Sequence, residues 1–182
     1  MSTKFWRSSL LASDSRETFA FHEAGHAIAA VLKNCETFAY LMDHPLMDGT
    51  NGVCVYFGNL SYEEDLLVSL AGPEAEYMVS GKRNGSYGDY AITDELINTR
   101  YSKIKGYNAK RLRARGCRSR FDMEHRDFTR TYAKIEQLLI DYRDAIEEVA
   151  YRLLITGWCH HRDICVAMGY NLVWDDDQTQ SA

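Results

Sequence analysis

Hydrophobic positions change their period several times along the chain, and each change marks an element. Phe21, Ala24, Ile28, Val31 and Leu32 recur at helical steps. Ser13-Asp14-Ser15 offers N-caps ahead of them, which predicts a helix to about Asn34. Glu36 to Met42 reads as a short strand. Turn residues from Asp43 to Gly52 separate it from a second strand, Val53-Cys54-Val55-Tyr56-Phe57. Ser61-Tyr62-Glu63-Glu64 is a capping box that opens a helix with Leu66, Leu67, Leu70, Ala71 and Ala75 on its apolar face. Gly72-Pro73 is expected to kink or interrupt that helix, and Gly81 to end it. After a glycine-rich loop, Asp89 opens a further helix with Ile92, Leu96 and Ile97 on its apolar side.

The strongest pattern lies between 122 and 156. Phe128, Tyr132, Ile135, Leu139, Tyr142, Ile146, Val149 and Leu153 alternate steps of four and three, with no Gly or Pro inside the run. This predicts one long helix, on the order of 50 Å, whose stripe lies on a partner helix of the same chain or of another copy. Gly157 stops it, and His160 to Met168 forms a short final helix. The sum is a mainly α chain with a small β-hairpin or sheet, an α+β class. Residues 1–14 read as an N-terminal arm and 15–170 as one domain. That domain divides into a first half, 15–99, a basic connection, 100–120, and a helical C-terminal part, 121–170. Residues 171–182 read as a disordered tail.

Composition narrows the picture only a little. The 182 residues are 46% hydrophobic and 26% charged, which suits one globular core. Nine of the 21 Lys and Arg residues fall between Arg100 and Arg120, where there is no acid. That basic run invites a nucleic-acid reading, but it lacks interleaved aromatics apart from Tyr101 and Tyr107. A solvated connection balancing an acidic body is the expectation. Five cysteines at irregular spacing form no disulfide framework, and no apolar run is long enough for a signal peptide or a membrane span. The chain therefore reads as reduced and cytoplasmic. No phosphate-binding loop motif occurs.

The chemistry concentrates in the first helix, as His22-Glu23-Ala24-Gly25-His26. Two histidines four residues apart project from one side of a helix and reach one zinc ion at about 2.0–2.1 Å. Glu23 points further round, away from a ligand position and toward a water that zinc would acidify, so it suits a general base. The small Gly25 and Ala29 let another backbone approach. A peptidase zinc needs a third protein ligand. The candidates are Asp89, Asp94, Glu74, Glu76 and the Cys159-His160-His161 group with Cys165. Asp89 is the best placed, because it follows a glycine-rich loop and begins a helix whose dipole favours a carboxylate. Glu76 is the runner-up, as an alternative ligand or as a group orienting a histidine from behind. Cys159 and Cys165 match no zinc spacing and read as buried small residues, with the histidines capping the turn after Gly157.

These residues together resemble the peptidase domain of the FtsH-type zinc metalloproteases. His22-Glu23-Ala24-Gly25-His26-Ala27 is similar to the family's H-E-A-G-H-A motif. Leu70-Ala71-Gly72-Pro73-Glu74-Ala75-Glu76 with Gly81 is similar to its L-x-G-x-x-A-E-x-x-x-x-G helix, and Ser86-Tyr87-Gly88-Asp89-Tyr90 to the stretch carrying its aspartate ligand. The resemblance runs from about Thr18 to Gly169. It implies a zincin-like, largely helical fold with one zinc ion held by His22, His26 and Asp89, and Glu23 as the base. It also implies endopeptidase activity on unfolded or flexible protein segments. The family couples this domain to an ATPase module and usually to membrane helices. Neither is encoded here, so the expected activity is ATP-independent, with a separate unfoldase as an optional partner. Pro73 stands where the family usually has a basic residue. The rival expectation is a non-catalytic zinc scaffold or regulator that binds protein or nucleic acid.

Overall fold

The computed structural model describes residues 15–43, 51–83, 87–102 and 120–170, where six helices and three strands form. The N-terminal arm, residues 103–119 of the basic connection and the tail after 170 lie outside the described residues.

Helix α1 (Arg16–Val31) begins where expected, because the Ser15 hydroxyl accepts the Thr18 backbone N–H at 3.2 Å. It is buried on every side and not along one stripe alone: from Thr18 to Val31 only Phe19 escapes burial. Alanine and glycine make this possible. A Cβ on Gly25 would lie 2.6 Å from the Ala71 carbonyl oxygen, so the two helices meet backbone to backbone there. The second helix of that pair, α2 (Tyr62–Ser80), carries the expected capping box, with the Ser61 N–H donating to the Glu64 carboxylate at 3.0 Å. Gly81 caps its end at φ 71°, a left-handed conformation that glycine adopts at no steric cost. The expected interruption at Gly72-Pro73 does not occur: α2 runs through Pro73 as one helix. Proline removes one backbone donor, but Leu66 to Pro73 are all buried, and that packing holds the helix together across the gap.

Strands β1 (Glu36–Leu41) and β2 (Gly52–Phe57) form the expected antiparallel hairpin, with Phe38 opposite Val55. The third strand of the sheet comes from the far end of the chain. The hydrophobic pattern after Gly157 does not predict it, because Trp158–His160 is too short to show a period. Labelled β3, it pairs antiparallel with β1, so the order is β2-β1-β3 and β2 is an edge strand.

Helix α3 (Tyr87–Ser102) starts two residues before Asp89 and packs principally on α2. Its inward side is Thr93 and Ile97, while Ile92 is half exposed, contrary to its expected place on the packed face. The single long helix predicted from the 3.5-residue period is two helices, α4 (Arg120–Asp141) and α5 (Arg143–Thr156), broken at Tyr142 with φ −109° and ψ 21°. The stripe itself is inward: Ile135, Leu139, Ile146, Val149 and Leu153 are buried. The break lets its two halves cover different partners, α4 lying on α2 and α5 on α1. A straight rod would serve only one of them. Helix α6 (His161–Ala167) follows β3 and closes the back of α5. Among the described residues no helix is long and apolar enough to cross a membrane.

Candidate metal centre

His22, Glu23 and His26 are 5, 6 and 6% exposed, although all three are polar. Two close approaches explain this. A Cβ on Gly72 of α2 would sit 2.3 Å from His26 Nε2, so only glycine leaves room for that ring. A Cβ on Gly52, at the start of β2, would lie 2.7 Å from Glu23 Cγ, so the edge strand runs directly past this carboxylate.

Each histidine is held from behind. His26 Nδ1 lies 2.7 Å from the Val68 carbonyl, which can only accept, so Nδ1 carries the proton. His22 Nδ1 lies 3.0 Å from Oε2 of the fully buried Glu76. With the protons placed there, both neutral rings turn bare Nε2 lone pairs to the same point. The two Nε2 atoms are 3.1 Å apart. Asp89 adds its two carboxylate oxygens, Oδ2 at 3.0 Å from His22 Nε2 and Oδ1 at 3.1 Å from His26 Nε2.

Four acceptor atoms converging on one point demand a positive charge, met by a proton or a metal ion. The electrostatics of the cluster carry the same demand, which a proton meets when no ion is bound. Burial opposes a charge on His22, but hydrogen bonds to Asp89 and Glu76 and the charge of Glu23 outweigh it and lift its pKa to about 10. Burial likewise opposes ionisation of Asp89, yet the two histidines hold its carboxyl well below the usual carboxylate range. Burial pushes Glu23 upward, against the pull of both histidines.

The spacing fits a metal ion. Donors at about 2.0–2.1 Å from a tetrahedral centre stand roughly 3.3–3.4 Å apart. The two Nε2 atoms stand 3.1 Å apart, each has one Asp89 oxygen at 3.0–3.1 Å, and taken one per residue the three ligand atoms lie within 4.8 Å of one another, a span that a modest shift of the carboxylate brings to this spacing. Two imidazoles and one carboxylate would leave a coordination position of a tetrahedral ion open.

The structure thus brings together His22, His26 and Asp89, and places Glu76 behind His22 with no path to the shared point except through that ring. Asp94 faces solvent. Glu74 is engaged by Arg83, at 2.7 and 2.9 Å. The Cys159-His160-His161-Cys165 group does not assemble as a metal site among the described residues. Cys159 and Cys165 are buried, and Cys165 Sγ meets only His161 Nε2, at 3.4 Å.

A cleft of about 310 Å³ opens beside the cluster, lined by Phe19, Glu23, Val53, Tyr56, Ser69 and Ile92 among others. Four contributors to this site escape a reading of the sequence: the Val68 carbonyl, Gly52, Ser69 and Tyr56. None belongs to a motif, and each acts through tertiary placement alone. Gly72 lies inside the L-x-G string, which is its one visible signal. Among known proteins, no family model matches this chain, and no curated protein is significantly similar to it.

Proposed function

We propose that the chain is a zinc-dependent endopeptidase, similar to the FtsH-type peptidases, acting on unfolded or flexible polypeptide in the cytoplasm without ATP. One observation carries this reading: His22, His26 and Asp89 aim four acceptor atoms at one point, and Glu23 lies beside them in an open cleft. His22, His26 and Asp89 would hold the zinc, with Glu76 and the Val68 carbonyl fixing the two rings. Bound zinc supplies Lewis acidity to the scissile carbonyl. Glu23 accepts the proton of the attacking water on its carboxylate and returns it to the leaving amine. The exposed edge of β2 passes Glu23 at Gly52, so an extended peptide pairing with it is held along the cleft. An extended chain fits such an edge and a folded domain does not, which accounts for the flexible substrate.

Glu23→Gln separates this reading from a non-catalytic zinc scaffold. The amide leaves the ligands intact but cannot take a proton. The variant should retain one zinc per chain, measured by elemental analysis, and lose casein hydrolysis by about 10²–10⁴-fold. Equal hydrolysis by the parent and the variant would remove the assigned mechanism. Zinc without hydrolysis in the parent would favour the scaffold.

A further inference from the structure

Helix α2 carries Asp65, Ser69, Gly72 and Glu76 at steps of four, three and four, and Ser69 among them lines the cleft. This is one helical face. Glu76 and Gly72 meet the two histidines, and the other two continue the same line away from the metal cluster. Ser69 lies about 4.5 Å and Asp65 about 10.5 Å beyond Gly72 along the helix axis. Strand β2 leads to the same place. From Gly52, beside Glu23, to Tyr56 is about 13 Å along the strand. The Tyr56 hydroxyl then donates to Asp65 Oδ1 at 3.4 Å. Tyr56 on β2 and Ser69 on α2 thus both line the cleft away from the histidines, and Asp65 meets the Tyr56 hydroxyl.

That polar end lacks a partner. The three acids in the first turn of α2 differ in how they are satisfied. Arg100 meets Glu63 at 3.6 Å, and Glu64 is used in the capping box. Asp65 is met by a phenol, and among the described residues no cation pairs with it. Ser69 is 4% exposed and lines the cleft, yet its hydroxyl completes no well-formed hydrogen bond. It faces the Tyr56 hydroxyl, whose pKa burial and the charge of Asp65 raise to about 12, against the pull of Ser69, so the phenol stays protonated. Beside the phenol, which donates to Asp65, stand the Ser69 hydroxyl and a carboxylate that no described cation meets. Such a group accepts hydrogen bonds and attracts positive charge.

We propose that Tyr56, Ser69 and Asp65 form a substrate subsite for the cationic side chain of a lysine or arginine, one to three residues from the bond to be cut. The spacing follows from the axial distances of about 4.5–10.5 Å and a rise of about 3.3 Å per residue in an extended peptide. This rests on the peptidase reading above. It adds a preference for basic segments, which the acidic body of the chain also attracts over longer range.

The test uses the zinc-loaded full chain carrying Glu23→Gln, so that peptides bind without being cut. Fluorescein-labelled flexible decapeptides carry one lysine moved stepwise along an otherwise neutral sequence. Norleucine replaces that lysine in the controls, and binding is read by anisotropy. At one position the lysine peptide should bind about tenfold tighter than its control, with the advantage shrinking in 0.5 M salt. Adding Asp65→Asn, or separately Ser69→Ala, should bring that ratio toward one. Two variants guard against loss of fold in either, which thermal melting would reveal. A ratio of one in the parent, or an undiminished ratio in both variants, overturns the subsite while leaving the peptidase reading intact. Zinc bound with no affinity for any peptide overturns both.

Discussion

His22 and His26 stand on a helix buried along nearly its whole length, whereas Asp89 stands on one that is mostly exposed and packs principally on α2. The first wall of the cluster is placed by core packing. Its rings are fixed by Gly72, the Val68 carbonyl and Glu76 before any ligand arrives. The second wall has little of this support, and a Cβ added at Gly88 would meet nothing within 4 Å. An ion bridging the walls would therefore do unequal work: it would find the histidines ready and would fasten α3.

The largest effect that would test this contrast comes from Asp89. Asp89→Asn should weaken zinc binding by more than about 100-fold, beyond the range typical of outer-sphere partners, while Asp94→Asn leaves it unchanged. Hydrogen exchange should show the asymmetry directly: chelation accelerates exchange across 87–102 and leaves 16–31 protected. Equal acceleration of both helices would refute the unequal support.

Glu76→Gln comes next. It removes the charge behind His22 but keeps its shape, and should cost about 10–100-fold in zinc affinity at an unchanged fold. Smaller still are the glycines. Gly72→Ala forces a methyl into the His26 ring and should lower stability by about 1–3 kcal/mol in denaturant melts, with zinc affinity falling too. Gly88→Ala, on the loosely held wall, should stay within about 0.5 kcal/mol. A severe Gly88→Ala and a silent Gly72→Ala would invert the picture.

The same contrast explains what the sequence discloses. The histidine pair is legible because a four-residue helical step is local geometry. Asp89 is legible only as the best of several carboxylates, since its approach depends on a loop between two helices. The support of His26 by a main-chain carbonyl is invisible, because any residue at 68 supplies one. The heptad stripe finds the buried Ile135, Leu139, Ile146, Val149 and Leu153, but its Phe128, Tyr132 and Tyr142 are only half-buried, it omits the buried Thr131, Leu138, Ala145 and Ala150, and it does not show the break at Tyr142, because two short partners and one long one give the same pattern. β3 is missed because three residues cannot establish a period.

The position of β3 also bears on how the chain assembles. Phe38 of β1 pairs with Val55 on one side and with His160 on the other. During synthesis the hairpin, α1 and α2 are complete early, and β1 keeps an open edge until the strand that seals it is made. At about 5–20 residues per second, the stretch from Ser80 to His160 takes roughly 4–16 s. Throughout that interval the side of α1 destined for α5 also lies uncovered. A nascent chain that has made only the hairpin, α1 and α2 would carry one open strand edge and a bare apolar face, the two features that invite association between chains. Docking of Trp158–His160 covers the open edge of β1, and α5, which precedes it in the chain, covers that face of α1.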